Sequence, residues 1–243
     1  TRPKVMYRLA KIGFTQSYTY FTWRNTKEGL TEYLEELTQT DVAEFFRPNF
    51  WPNTPDILHE ELQKGGRAIF LSRFVLAATL SSNYGIYGPA YELCENRPAQ
   101  PRSEEYLDSE KYQLRHWNIE DNASLQPLIA RVNEIRRAHE ALHSNDGLRF
   151  HPTNQPFLIA YSKTNRETTD AILVVVNLDP HQTQSGWVNL DLSVLNLKSD
   201  QPFEVHDLLT DVRYTWRGMR NYIQLEPGRS HIFNIPTSAV ERL

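Results

Sequence analysis

The spacing of apolar and polar positions changes character once along this chain, near residue 145. Before that point, Phe14 to Trp23 is dense in Thr, Tyr and Phe and predicts a strand. Asn25-Thr-Lys-Glu28 follows with the hydroxyl and carboxylate pattern of a capping box, the start of a helix. Leu30, Tyr33, Leu34 and Leu37 then recur at helical spacing and predict one buried face. A second unit begins with the aromatic run Phe45 to Trp51, passes the polar turn Asn53-Thr-Pro-Asp56, and enters a helical stretch ended by Gly65-Gly66. A third helix, about Arg67 to Leu80, leads into Ser82 to Pro89, a strand that opens into a loop. Strand, helix, strand, helix, strand is the order of a parallel sheet or barrel, because parallel neighbours need a crossover connection. Three such units cannot close a barrel alone.

Gly88 to Asn122 is polar, aromatic and proline-containing, and its Trp and Tyr content predicts an ordered, functional loop. Leu125, Leu128, Ile129, Val132 and Ile135 mark an amphipathic helix running to about His143. Beyond it the period shortens. Phe157 to Tyr161, Ala171 to Asn177, Gly186 to Leu192, Phe203 to Leu209, Arg213 to Trp216, Asn221 to Leu225 and His231 to Ile235 predict strands separated by Asn, Asp, Pro and Gly turns. The expected fold class is α/β plus all-β, with residues 1–145 as one domain and 146–243 as an antiparallel β-sandwich. There is no internal repeat and no low-complexity tract.

Composition narrows the function classes. No apolar run approaches the roughly 20 residues of a membrane helix. Thr1-Arg-Pro-Lys4 carries neither an initiator Met nor the apolar core of a signal peptide. The expectation is a cytoplasmic chain, with no membrane partner, whose first residue is a cut. A net charge of −4 with interspersed Lys and Arg gives no basic face for nucleic acid. The lone Cys94 excludes an internal disulfide framework and a multi-cysteine zinc site.

Three groups of residues could carry chemistry. His139-Glu-Ala-Leu-His143 matches H-E-x-x-H, in which two imidazoles one turn apart bind zinc and the Glu activates water. Its place at a helix end, with no third ligand nearby in sequence, favours packing and capping instead. Asp56 directly follows a strand, where barrel enzymes collect catalytic groups, but could equally cap a helix starting at Ile57. Trp23, Trp51, Tyr84, Tyr87, Tyr91, Tyr112 and Trp117 fall in or beside the loops after strands, where flat rings suit either sugar faces or packing. In Ser109-Glu-Lys-Tyr-Gln113, Lys111 reads as a surface charge when taken alone. Glu92, Glu95, Glu104 and Glu105 could supply the second carboxylate of glycosidic chemistry, and their spacing selects none of them.

Several runs taken together carry a family resemblance. They are Thr1-Arg-Pro-Lys4 with Tyr7-Arg-Leu-Ala-Lys11, Phe21-Thr-Trp-Arg-Asn25, Phe46-Arg-Pro-Asn-Phe50 with Asn53-Thr-Pro-Asp-Ile57, Leu76 to Glu92, and Ser103 to Trp117. With Ile172 to Leu178 and Tyr214-Thr-Trp-Arg-Gly218, the chain resembles the maltose-1-phosphate maltosyltransferases of the alpha-amylase family along nearly its whole length. The resemblance implies the C-terminal part of a (β/α)8 barrel, its last three units, followed by a β-sandwich. It implies that the family's Asp nucleophile and Glu acid/base both precede Thr1. Asp56 then matches the third carboxylate of the site, which holds ring hydroxyls and stabilises the transition state. Lys111 and Tyr112 match contacts to the second glucose of the donor, and Asn53, Trp23 and Arg24 are candidates for lining the pocket. The pattern Arg136 to Leu142 matches the end of the family's last barrel helix, which accounts for the two histidines. The implied partners are alpha-maltose 1-phosphate, alpha-1,4-glucan and the remainder of the same enzyme, with no cofactor and no metal. A homodimer, through parts outside this chain, is also implied. The alternatives are another glucan hydrolase or transglycosylase of the alpha-amylase family, a sugar-binding sandwich module, and a zinc metalloprotease.

Overall fold

The computed structural model describes residues 2–198 and 201–236. Helix α1, Pro3–Lys11, has proline in its first turn, where the missing N–H costs nothing, and Arg8 and Lys11 in its last turn. Strand β1 is only Ser17–Tyr18, much shorter than the Phe14 to Trp23 strand that composition predicts. The reason is local: the Thr19 side chain accepts from Phe21 N, and the chain turns into a 3-10 helix, Tyr20–Trp23. Helix α2, Lys27–Gln39, is capped by the Thr26 hydroxyl, which accepts from Gly29 N at 3.1 Å. It buries Leu30, Tyr33, Leu34 and Leu37, the face that the periodicity predicts.

A short helix α3, Val42–Phe45, removes Phe45 from the predicted aromatic strand, leaving β2 as Pro48–Phe50. Helices α4, Glu60–Lys64, and α5, Gly66–Leu80, are separated at Gly65. Then come β3, Asn83–Tyr84, and a short helix α6, Gly88–Glu92. Helix α7 runs from Gln126 to Ala138 and stops before the predicted His143; Glu140–Leu142 is a separate 3-10 turn. Strands β1, β2 and β3 are parallel neighbours in that order, so the loops after all three strands leave from one edge.

The rest is antiparallel. Strands β4 (Arg149–His151), β5 (Leu158–Thr164), β6 (Ala171–Asn177), β7 (Gln184–Asn189), β8 (Pro202–Asp207), β9 (Val212–Arg217), β10 (Arg220–Leu225) and β11 (Ser230–Ile235) form two sheets. One has the order β4-β5-β6-β11-β8-β9 and the other pairs β10 with β7. Each predicted strand is present, Ala171 to Asn177 with its predicted ends and the others with shifted ends, and β4 is additional. Strand β4 has no alternation to mark it; His151 is buried and its Nε2 lies 2.9 Å from Ser162 Oγ.

Successive residues of a strand point to opposite faces, and here both faces are covered. Ile159 and Tyr161 of β5 and Ile172, Val174 and Val176 of β6 join the core of the helical part. Leu158, Ala160, Leu173 and Val175 join a second core with Val188, Ile223 and Leu225 of the facing sheet. This explains why Ala171 to Asn177 is buried throughout rather than at alternate positions. Helix α5 packs on the first of these faces, with Thr79 Oγ1 2.6 Å from Tyr161 OH. At Gly228, φ is +67°, and a Cβ would stand 2.1 Å from the Ala68 carbonyl oxygen of α5, so only glycine permits this approach.

Lys163 of β5 is wholly buried, and its Nζ has no hydrogen-bond partner among the described residues. Burial, reinforced by Arg136 and opposed by Asp146, pushes its ammonium down from 10.5 to about 7. Between those values the unfolded chain binds more protons than the folded one, so this group lowers stability most at pH 7 and below. Lys163→Met is therefore expected to raise the thermal midpoint at pH 7. Its advantage should shrink by up to about 1.4 kcal/mol per pH unit toward pH 10.5. A pH-independent difference in thermal unfolding would contradict the assignment.

Candidate active site

Asp56 lies beyond the C-terminal end of β2, on the wall of a cleft of about 530 Å³. Tyr18, Tyr20, Trp23, Trp51 and Ile57 share that wall, and Met6, Leu9 and Phe14 close its other side. The carboxylate sits in a tight turn in which Thr54 N donates to Ile57 O at 3.2 Å and Ile57 N to Thr54 O at 3.1 Å. The helix-cap alternative for Asp56 is thereby corrected. No helix starts at Ile57; α4 starts at Glu60 and is capped by His59, whose Nδ1 accepts from Glu61 N at 3.2 Å. Asp56 Oδ1 accepts instead from Thr54 Oγ1 at 2.8 Å, and the side chain is otherwise exposed to the cleft.

The aromatic wall is positioned from behind. Trp51 and Tyr18 meet edge to face at 5.6 Å, and a Cβ at Gly85 would fall 2.4 Å from the Trp51 ring, so that glycine makes room for the indole. Arg73 of α5, buried among apolar neighbours, donates to Phe21 O at 2.6 Å and Arg24 O at 2.7 Å and stacks on Phe21 at 3.9 Å. It thereby fixes the C-terminal end of the 3-10 helix that presents Trp23. Burial brings its guanidinium down to about 10, so it stays charged near neutrality. Trp23 Nε1 donates to Glu104 Oε1 at 3.0 Å, which ties the wall to the long loop.

That loop is ordered by charge. Glu95 is nearly buried and accepts from Arg97 Nε at 2.9 Å, Arg97 Nη2 at 2.9 Å and Arg115 Nη2 at 2.9 Å. Burial opposes its ionisation, but the two arginines prevail and bring it down to about 2. Arg115 in turn stacks on Trp117 at 3.8 Å, and Trp117 Nε1 donates to Glu110 Oε1 at 3.2 Å. The loop is also laced to the segment bearing Asp56. Leu58 N donates to Glu104 O, and Gln63 Nε2 bridges Leu58 O and Ser103 O at 2.9 and 2.8 Å. Ser109 Oγ donates to Pro55 O at 3.2 Å.

The residues singled out from sequence are placed differently from one another. Trp23 and Asp56 line the cleft. Asn53 is fully buried behind it: its Nδ2 donates to Tyr106 OH at 2.8 Å, and its Oδ1 accepts from Tyr87 N at 2.9 Å. It holds the loop after β3 and the long loop together and does not face the cleft. Arg24 turns to the Tyr33 ring at 5.4 Å. Lys111 Nζ pairs with Glu105 Oε1 at 2.7 Å, and Tyr112 OH reaches the same oxygen at 3.4 Å with its ring largely exposed. Of the four candidate second carboxylates, Glu95, Glu104 and Glu105 are thus engaged with arginine, tryptophan and lysine. In the H-E-x-x-H run, His139 Nδ1 lies 2.8 Å from Asp170 Oδ1 and His143 Nε2 2.7 Å from Arg136 O. Glu140 accepts from Asn165 Nδ2 at 2.9 Å. The helix break at His139 separates the two imidazoles from one face. Among the described residues no group of three His, Cys, Asp or Glu side chains could hold a metal ion. Arg73, Gln63, Tyr106 and Ser109 escaped the sequence reading because nothing in their spacing marks a hydrogen bond across many residues.

The fold is that of a class. A maltogenic alpha-amylase from Thermotoga neapolitana superposes with TM-score 0.66 at 13% identity, over 94% of this chain and 52% of that one. An Anoxybacillus alpha-amylase does so with TM-score 0.68 at 10% identity, over 98% and 50%. The chain shares the fold of about half of each of these alpha-amylases. Residues 150–235 match the family described as GLGE, C-terminal. The alpha-1,4-glucan:maltose-1-phosphate maltosyltransferase of Salinibacter ruber is 52% identical over 97% of this chain and 35% of its own length. A Streptomyces coelicolor maltosyltransferase is 56% identical over 97% and 35%. The chain belongs with the maltose-1-phosphate maltosyltransferases and corresponds to their C-terminal portion. It spans about a third of the length of the curated relatives it matches.

The Glu95 cluster makes a pH prediction. A carboxylate ionising near 2 in the fold and near 4.5 unfolded adds stability that is complete above 4.5 and lost as pH falls toward 2. Glu95→Ala, which leaves half-buried Arg115 only the Leu107 carbonyl and the Trp117 ring, is expected to cost about 2 kcal/mol in chemical denaturation at pH 7. Glu95→Gln should also flatten the acid limb between 4.5 and 2, and an unchanged acid limb would contradict the cluster's role.

Proposed function

We propose that this chain is the C-terminal portion of a retaining glycosyltransferase. The complete enzyme moves a maltosyl unit from alpha-maltose 1-phosphate to the non-reducing end of an alpha-1,4-glucan and releases phosphate. Residues 1–145 are read as the last three βα units of a catalytic (β/α)8 barrel and 146–243 as the sandwich that supports it. The observation that carries the reading is Asp56. It follows the middle of three parallel strands, is oriented by Thr54, and faces a cleft walled by tryptophan and tyrosine. Sequence identity to named maltosyltransferases over 97% of the chain supports the substrate assignment.

In this mechanism a carboxylate from outside the chain attacks the anomeric carbon, and the C–O bond to phosphate breaks. The 4-hydroxyl of a glucan then displaces that carboxylate, its proton passing to a second acidic residue outside the chain. Asp56 acts in the transition state of each step, where positive charge develops on the sugar ring. A fixed carboxylate beside the ring stabilises that charge more than it stabilises the uncharged ring of the bound donor. Trp23 and the neighbouring rings offer flat apolar faces to the sugar, and Lys111 and Tyr112 bind the second glucose. Assembly with the rest of the polypeptide, a homodimer of the complete enzyme and a cytoplasmic site of action belong to the same proposal. The described residues include no helix long and apolar enough to cross a membrane.

Asp56→Asn in the full-length polypeptide is expected to lower phosphate release from maltose 1-phosphate at least about 100-fold with little change in the thermal midpoint. Residues 1–243 alone should release none. Wild-type turnover by the variant, or measurable release by the isolated chain, would contradict the proposal.

A further inference from the structure

One hydroxyl lies between the two halves of the proposed site. Ser109 is nearly buried; its Oγ donates to the Pro55 carbonyl, immediately before Asp56, at 3.2 Å, and accepts from Lys111 N at 3.3 Å. The same oxygen therefore touches the turn that carries the cleft carboxylate and the backbone of the lysine in the long loop. The other ties between these segments act farther along: Asn53 to Tyr106, Leu58 to Glu104, and Gln63 to Ser103. They hold the loop to the body of the fold; at its tip Glu110 accepts from Tyr87 OH, and Ser109 makes the tie to the Asp56 turn. Beyond Ser109, one oxygen of Glu105 holds the heads of Lys111 and Tyr112.

We propose that Ser109 is a positioning residue that fixes the distance between Asp56 and the Lys111–Tyr112 pair, and so couples binding of the distal donor glucose to transition-state stabilisation at the proximal one. The inference rests on the reading of Asp56, Lys111 and Tyr112 as sugar-facing residues. Its physical basis is that misplacement of a binding group by about 1 Å can cost about 100-fold in rate, while a single hydroxyl bond contributes little to folding. Glu105 supplies the resting partner of Lys111, which the donor's hydroxyls would replace.

The test compares Ser109→Ala, Lys111→Ala and the double variant in the full-length enzyme, with kcat and KM for maltose 1-phosphate read from phosphate release. Ser109→Ala is expected to lower kcat/KM by about 10- to 100-fold, through both constants. In the Lys111→Ala background the same change should cost less than about a third as much on a logarithmic scale, because the coupled partner is gone. Ser109→Thr should restore most of the activity, and Ser109→Val, its isostere without the hydroxyl, should not; this pair decides the matter if the alanine variant folds poorly. Equal costs of Ser109→Ala in both backgrounds, kcat/KM within about twofold of wild type, or equal activity of Thr and Val would overturn the coupling while Asp56→Asn remained inactive. Full activity of Asp56→Asn would instead overturn the underlying site reading and this inference with it.

Discussion

The structure depends on burying both faces of one sheet. Strands β5 and β6 present alternate side chains to the helical part and to the second sheet, so the core of the helical part closes against the sandwich while the sandwich keeps a second core between its sheets. Helix α5 is the counterpart of that sheet. It is buried from Ile69 to Leu80 apart from the partly exposed Leu71, because it has the parallel strands on one side and the sandwich on the other. A helix with no polar stripe is stable only when it is enclosed. Its one buried cation, Arg73, is satisfied by backbone carbonyls at the cleft, so the same helix that joins the two parts also shapes the site.

The cleft illustrates how an unstructured stretch becomes rigid without secondary structure. From Arg97 to Trp117 the long loop has no regular hydrogen-bond ladder. Its order comes from a nearly buried carboxylate between two arginines, from a stacked Arg115–Trp117 pair and from side chains that satisfy backbone groups of the Asp56 segment. The Arg115–Glu95 and Gln63–Ser103 bonds span 20 and 40 residues, so those ties form only after the strands and helices have met. That order suits a binding cleft, whose polar groups must be preorganised while its aromatic faces remain open.

Much of the fold was legible. The face Leu30, Tyr33, Leu34, Leu37 is buried as its spacing predicts, and Ala171 to Asn177 is a strand over the whole predicted range. Errors arose where a single side chain redirected the backbone. Thr19 ends β1 early, and the break at His139 ends α7 before the two histidines can share a face. Strand β4 was missed because three residues hold too little alternation to be seen. At the site, Asp56 was readable as a candidate because it follows a strand, but its capping alternative could be excluded only once the turn from Thr54 to Ile57 was known. The resemblance offers Asn53 as a residue lining the pocket, but it is buried behind the wall and bonded to Tyr106, since three residues of a turn are enough to reverse direction.

By itself, then, the sequence determined most of the longer helices and strands, that the chain changes from alternating α/β to all-β near residue 145, and which family it resembles. Those properties rest on local periodicity and on runs of residues that are adjacent along the chain. The tertiary structure alone decided that the sheet is covered on both sides, that Asp56 faces a cleft, and that Ser109 and Glu95 organise the loop beside it. Those contacts join residues far apart in sequence, and their energy comes from burial and hydrogen bonding that exist only after the chain has folded.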